Sequence, residues 1–345
     1  MSAFNLLNVA SVEQLTADAV KISFEIPEAL KKDYSFMPGQ YVTLKTQLNG
    51  ESITRSYSIC SSPKDKYLSI GVKQIKNGTF STYANTVLQV GDALSVSTPE
   101  GRFVIDKSEE IAHYLFIAAG SGITPIISMI SHELARNSNT KCTLVFANQS
   151  PETAMFIKAL KELQAEYPQR FKLQWVFSRA NEAEAHFGRI DAAFLKFFTK
   201  KQQQRYDSIY LCGPQEMIET LSEALLELNY QKAQIKYELF QVTDTEYLAQ
   251  KSAAAIAEVV LDDVHYEVSV QENQVVLDAV LAKDLDAPYS CQGGICSSCV
   301  ARLTEGKVHM KANHVLTDQE IADGLILTCQ AIPETPKISI SYDDV

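Results

Sequence analysis

Cys291-Gln292-Gly293-Gly294-Ile295-Cys296-Ser297-Ser298-Cys299, followed by Cys329 after twenty-nine intervening residues, is the stretch on which the reading of this chain turns. It is C-x4-C-x2-C with a distant fourth cysteine, the thiolate spacing that ligates a [2Fe-2S] cluster. Four thiolates must converge on two irons, so the chain has to wrap tightly. Gly293 and Gly294 permit left-handed backbone and let N–H groups approach the sulfides, and Ser297 and Ser298 can add donors. Donors of this kind, with partial exposure to solvent, tune the potential of such a cluster. A structural zinc site also takes four cysteines, but it is usually built from two short C-x2-C pairs, and only one pair here is that close. Cys291, Cys296, Cys299 and Cys329 are therefore the candidate metal ligands.

The surroundings of that stretch are a unit of their own. From Val259 to Val345 fourteen acidic side chains face five basic ones, a net charge of -9 out of -11 for all 345 residues. Cys60, Cys142 and Cys212 are scattered through the rest. An odd total of seven cysteines, with no leader-like segment before them, argues for metal ligation and isolated thiols over a disulfide framework. The acidic balance makes nucleic acid an unfavourable partner, because a phosphate backbone needs a basic face. No stretch of eighteen uninterrupted apolar residues marks a membrane span, so the expectation is a cytoplasmic protein.

Upstream, the first hundred residues alternate short Val/Ile/Tyr/Thr-rich runs with turns at close to period two, as in Ala19–Ile26, Gln40–Lys45 and Tyr67–Lys73. That spacing predicts a small antiparallel β-barrel over 1–105. From Asp106 the texture changes to short continuous apolar runs, such as Tyr114–Ala119, Cys142–Phe146, Leu173–Phe177 and Ser208–Cys212, separated by helical patterns. Met217, Ile218, Leu221, Leu225 and Leu228 share one helix face behind Pro214. Strand alternating with helix predicts a parallel α/β sheet over 106–242. The small and polar residues of 243–258 read as a linker, with a short helix as the alternative, and 259–345 as the iron–sulfur domain.

Ala118-Ala119-Gly120-Ser121-Gly122-Ile123-Thr124-Pro125 follows a buried strand and opens a helix. N–H groups at a helix start bind pyrophosphate, and glycines let it approach without a Cβ in the way. In an open parallel sheet the ligand crevice lies at the carboxyl ends of the strands, so Gly122 should face the same cleft as Cys212-Gly213-Pro214.

These segments resemble the nucleotide domain of the ferredoxin-NADP reductase superfamily. The resemblance implies that Gly120, Gly122 and Thr124 hold the dinucleotide pyrophosphate and that Cys212, with Gly213 and Pro214, sits beside the nicotinamide and shapes hydride transfer. Ser178-Arg179 is similar to the pair that grips the 2'-phosphate of NADPH in that superfamily, with Arg189 a second candidate; a solvated strand-end arginine is the alternative, which leaves NADH possible. A [2Fe-2S] cluster cannot take two electrons at once, so a flavin must stand between, and Arg55-Ser56-Tyr57-Ser58 resembles the superfamily's R-x-Y-S flavin signature. Gly78-Thr79-Phe80-Ser81 resembles its later G-x-x-S. By that resemblance Arg55 offers its fork to phosphate, Tyr57 a flat face to the isoalloxazine and Ser58 a hydroxyl near N5, while Ser81 and its neighbours bind pyrophosphate at a helix start. Tyr41 and Phe240 could reach the flavin or simply pack in the core. The order of domains favours FAD, although relatives of the phthalate dioxygenase reductase type share it and use FMN.

The segment Ala287–Cys299 with Leu327-Thr328-Cys329 resembles plant-type ferredoxin, which implies a β-grasp fold. Over its full length the chain is similar to the FAD/[2Fe-2S] reductase components of multicomponent oxygenases, and within them to the phenylacetyl-CoA epoxidase reductases. The resemblance implies electrons passing from NAD(P)H through FAD and the cluster to a di-iron oxygenase partner. Reductases for ketosteroid hydroxylation or for a hybrid-cluster protein share the layout, and a non-catalytic redox sensor is the reading from another class. The six histidines show no paired-ligand spacing and there is no G-x-S-x-G elbow, so oxidation of an organic substrate is expected elsewhere.

Overall fold

The computed structural model describes residues 3–105, 113–240 and 252–345. Two compact units divide the chain, one over Phe4–Phe240 and one formed by the C-terminal residues. The expected linker falls largely on residues outside those described, as do the expected boundaries after 105 and after 242.

The first unit begins with six antiparallel strands: β1 (Phe4–Thr16), β2 (Ala19–Glu25), β3 (Tyr41–Leu48), β4 (Glu51–Ser58), β5 (Leu68–Lys73) and β6 (Ala93–Ser97), hydrogen-bonded in the order β4-β3-β6-β1-β2-β5. The sheet curls until its two edges meet at a single bridge between Ile59 and Ile70. Alternation sends Leu7, Val9, Val20, Ile22, Phe24, Val42, Leu44, Ile70 and Val72 inward, so period two delivers the expected barrel. The register of β3 on β4 is set by Asn49 and Gly50, at φ 56 and 85, which form the two-residue turn that right-twisted strands prefer. That register pairs Tyr41 with Ser58 and gives the Arg55–Ser58 segment its fixed alternation. A helix, α1 (Thr79–Thr86), follows β5.

The rest of this unit is a parallel sheet: β7 (His113–Ala119), β8 (Lys141–Asn148), β9 (Phe171–Phe177), β10 (His186–Phe187), β11 (Ser208–Gly213) and β12 (Ile235–Leu239), in the order β10-β9-β8-β7-β11-β12. Helices α2 (Ile123–Arg136), α3 (Ile157–Glu166), α4 (Ala192–Gln202) and α5 (Gln215–Glu227) connect the strands. Strands covered on both faces bury continuous apolar runs, and Leu115, Phe116, Ile117, Leu144, Val145 and Phe146 are all inaccessible. Each such side chain stabilises the fold by about 1.5–3 kcal/mol relative to exposure. As its spacing predicts, α5 buries Ile218, Leu221 and Leu225, with Pro214 as its N-cap. The chain leaves β7 toward β8 on one side and returns through β11 on the other, so the topological switch lies between β7 and β11, which pair Ala118 with Cys212.

The second unit is a five-stranded sheet of β13 (Ala255–Leu261), β14 (Val264–Val270), β15 (Val300–Glu305), β17 (Leu325–Leu327) and β19 (Lys337–Ser341), with a two-stranded ribbon of β16 (Val308–Met310) and β18 (Ala331–Pro333). The order is β14-β13-β19-β15-β17, and the parallel pair β13-β19 lies inside it. Val276, Leu277, Ala279 and Val280 of α6 (Val276–Leu281) pack into its core, giving the expected β-grasp arrangement; a short helix, α7 (Asp318–Ala322), precedes β17. Strand β13 begins at Ala255, inside the expected linker. The small-residue run supplies short inward side chains, with Ala255, Ala257, Val259 and Leu261 buried in alternation. Residues 252–254 are not helical.

Candidate functional site

The site grows from the carboxyl ends of β7, β11 and β12. Cys212 pairs with Ala118 on one side and with Glu238 on the other, so a thiol and a carboxylate stand on adjacent strands at the switch point. Cys212 is fully buried, and desolvation, reinforced by the neighbouring Glu238 charge, pushes its thiol well up. Burial thus keeps it a neutral thiol.

The glycine turn forms a single 3-10 turn, Gly120–Gly122, before α2. Its two glycines serve different ends. Gly120 has φ 55 and open space where a Cβ would point, so an anion can approach there. A Cβ on Gly122 would lie 2.2 Å from the Cys212 carbonyl oxygen. Gly122 is thus required by the close packing of turn on strand. The Thr124 hydroxyl donates to the Ser121 carbonyl at 3.0 Å, which braces the turn.

From the barrel, β4 carries the four residues of the flavin signature. Arg55 is exposed and its Nη1 donates to the Thr54 carbonyl at 2.7 Å; Ser56 Oγ lies 2.9 Å from Thr43 Oγ1. The Tyr57 ring lies 5.5 Å from that of Phe80, and burial raises its phenol above the ordinary value, keeping it neutral. Phe80 and Ser81 lie in α1, whose N-cap is Gly78. The Ser81 hydroxyl accepts from the Ile75 N–H at 3.3 Å and is buried. Any anion at this helix start would therefore be met by first-turn N–H groups, with Thr79 exposed beside them.

Sequence reasoning missed Glu238. Ser58 Oγ donates to Glu238 Oε2 at 3.2 Å, joining barrel to sheet. Desolvation pushes the Glu238 carboxyl up to about 8, with the Ser58 hydrogen bond opposing. The residue sits in Tyr237-Glu238-Leu239-Phe240, where a lone acid among apolar residues of a strand end was the available signal. Tyr41 is buried, its hydroxyl 3.4 Å from Glu100, and Phe240 packs partly buried against the sheet core.

Ser178-Arg179 and Gly188-Arg189 leave the sheet at neighbouring strand ends, because Phe177 of β9 pairs with Phe187 of β10. The Ser178 and Arg179 N–H groups are tied to Asn148 and Gln149 carbonyls at 3.0 and 2.8 Å, while both arginine side chains are exposed. Two exposed arginines thus follow neighbouring strand ends.

In the C-terminal unit the four cysteines of the spacing motif converge. Cys296 Sγ is 3.1 Å from Cys291 Sγ, and Cys329 lies within hydrogen-bonding reach of both Cys291 and Cys299. The hydrogen bonds received from Cys296 and Cys329 hold the Cys291 sulfur strongly toward the thiolate. Gln292 and Gly294 have positive φ, 52 and 73, which wraps the loop, and the Gly293 N–H donates to Cys291 Sγ at 3.4 Å. Buried thiols on a tight loop, one already receiving a backbone N–H, are a donor set that fits a [2Fe-2S] cluster. Cys296, Cys299 and Cys329 are buried and Cys291 is partly exposed. Cys60 and Cys142 are isolated buried thiols, with desolvation pushing Cys60 up to about 12.

Three family models match successive parts of the chain. Residues 6–105 match the family described as oxidoreductase FAD-binding domain, 116–223 the oxidoreductase NAD-binding domain, and 259–334 the 2Fe-2S iron-sulfur cluster binding domain. The chain is 35% identical over 351 residues to a subunit of the 1,2-phenylacetyl-CoA epoxidase of Escherichia coli (strain K12), covering 99% of each. It is 34% identical over 355 residues to the ferredoxin reductase component of 3-ketosteroid-9-alpha-monooxygenase of Mycobacterium tuberculosis, covering 98% of this chain and 96% of that one. The solved structure of phthalate dioxygenase reductase shares the fold with a TM-score of 0.64 at 23% identity, over 98% of each chain.

Proposed function

This chain belongs to the family of oxidoreductases that join FAD-binding, NAD-binding and [2Fe-2S] domains as the reductase component of an oxygenase, and from that membership we propose that it carries electrons from NADPH to a di-iron epoxidase acting on phenylacetyl-CoA. Membership in a family of reductase components sets aside the non-catalytic sensor.

When bound, FAD takes up the two electrons of a hydride and releases them one at a time, and the cluster carries one. The chain's own residues supply the rest. Gly120 and the N–H groups that open α2 receive the dinucleotide pyrophosphate, and Arg179 with Arg189 takes the 2'-phosphate, which distinguishes NADPH from NADH. Arg55 and the first turn of α1, from Gly78 to Ser81, hold the flavin phosphates, while Tyr57 faces its ring. Cys212, Gly213 and Pro214 form the wall against which the nicotinamide is oriented. Below about 8 Glu238 keeps a proton, and Ser58 Oγ, which donates to that carboxyl, would lie beside the flavin when FAD is bound. Cys291, Cys296, Cys299 and Cys329 hold the cluster, and the partly exposed Cys291 marks the side from which electrons leave.

The observation that carries this reading is the conjunction of Ser58, Cys212 and Glu238 at the switch between β7 and β11. The test is an anaerobic titration of the purified protein with NADPH and then NADH, followed by mixing with the oxygenase component of phenylacetyl-CoA epoxidase. Flavin bleaching with NADPH, cluster bleaching after it and turnover on mixing are the expected results. A colourless protein, or one that reduces only a ketosteroid monooxygenase, overturns the reading; the similar identity to the ketosteroid reductase makes that the second assignment.

A further inference from the structure

The side-chain amide of Gln330 lies where the two separate ligand-bearing segments of the C-terminal unit meet. Gln330 is only 9% exposed, and its Nε2 donates to the Gln292 carbonyl at 2.8 Å and to the Cys329 carbonyl at 2.9 Å, with Cys329 Sγ 3.7 Å away. An amide nitrogen has two hydrogens, so one serves Gln292 and the other is shared between the carbonyl and the sulfur of Cys329. The backbone of Gln330 is fixed as well, its N–H donating to the Leu327 carbonyl at 2.8 Å and its carbonyl accepting from the Lys311 N–H at 3.0 Å. Its stem packs beneath the ligand loop: a Cβ on Gly294 would lie 3.0 Å from Gln330 Cγ. The side chain is therefore held at both ends, with a dipole aimed at a ligand sulfur.

We infer that Gln330 is a positioning residue for the cluster, pinning the loop of the first ligand to the fourth and directing an N–H dipole at Cys329 Sγ so that the reduced cluster is favoured. The inference rests on the assignment of the four cysteines as ligands. Reduction adds negative charge that spreads onto the thiolate sulfurs, and a donor already pointing there lowers the cost of that charge. At Cys291 the equivalent donor is the backbone N–H of Gly293. At Cys329 it is a side chain, and so can be altered without touching the main chain.

The test compares the full-length protein with Gln330→Met, which keeps the shape and removes the donor, and Gln330→Glu, which replaces the donor by an acceptor. Potentiometric titration followed by visible absorption and electron paramagnetic resonance reads the cluster, and flavin reduction by NADPH serves as the control. At a fixed ambient potential the ratio of reduced to oxidised cluster should fall about tenfold in Gln330→Met, equivalent to roughly 59 mV for a one-electron couple, and further in Gln330→Glu. Flavin reduction should be unchanged. Variants that carry full iron and titrate at the wild-type potential overturn the inference. So does loss of iron from both variants, since the residue then serves assembly and not the energy of the electron. Wild-type protein that binds no iron defeats the ligand assignment instead.

Discussion

Ser58 Oγ and Glu238 Oε2 are 3.2 Å apart although 180 residues separate them in the chain. The contact is made because the Asn49-Gly50 turn fixes the register of β4 while β12 pairs beside Cys212 at the switch point. A partly buried carboxyl that keeps its proton up to about 8 and touches a hydroxyl is a local proton store next to the proposed hydride path.

Replacing Glu238 by Gln should therefore slow flavin reduction by NADPH by about a hundredfold, the lower end of the range for losing a positioned proton donor. It should also abolish the pH dependence centred near 8. Stopped-flow absorbance on either side of that value reads both, and a profile identical to wild type would remove Glu238 from the chemistry.

The same carboxyl affects stability. The unfolded chain releases this proton near 4.5 and the folded chain only near 8, so between those values folding takes up a proton and stability falls as pH rises. Glu238→Gln should flatten that decline. Denaturant unfolding of both proteins near the two ends of that window provides the comparison.

Gly122→Ala places a methyl group 2.2 Å from a backbone oxygen that cannot move aside without shifting β11. Overpacking of this kind costs about 1–3 kcal/mol, and the displaced turn should weaken dinucleotide binding in addition. Gly120→Ala meets no atom but must adopt φ 55, so its loss of stability should be the smaller of the two. Thermal melts and NADPH titrations of the pair rank the two effects.

Arg179→Ala and Arg189→Ala bear on nucleotide choice. A hydrogen bond to a charged group contributes about 1.5–3 kcal/mol, so loss of the residue that grips the 2'-phosphate should raise the KM for NADPH about tenfold to a hundredfold. The KM for NADH should change little. If both coenzymes are affected alike, the arginines hold something common to the two.

Cys296→Ser should eliminate the visible and paramagnetic signature of the cluster, and with it reduction of the oxygenase partner, while NADPH still bleaches the flavin. The two compact units have separate cores, which is why the first should survive damage to the second. Loss of flavin reduction in this variant would contradict that independence.

What is legible in the sequence is whatever chemistry is written in contiguous residues. The cysteine loop, the glycine turn and the Arg55–Ser58 segment each carry their signal in fewer than ten positions, and burial patterns of period two and of helical spacing mark the layers. Glu238 is hidden because its character comes from desolvation and from a partner on a distant strand; in a linear reading it is one acid among forty-two Asp and Glu. Nor does a linear reading show that the hydroxyls of Thr124 and Ser81 meet main-chain groups close by, one donating to the Ser121 carbonyl and the other accepting from the Ile75 N–H. The alanine run before Val259 resembles a linker because inward-facing alanines carry too little hydrophobic contrast to show alternation.

The position of β19 has a consequence for biogenesis. It is an interior strand of its sheet, flanked by β13 and β15, although it follows every other strand of that sheet along the chain. Domains fold as units from the amino end as the ribosome delivers them, so the nucleotide and flavin layers can mature while this sheet still lacks its middle. A chain cut before Lys337 would leave β13 and β15 without the strand that joins them, and should take up flavin yet no metal.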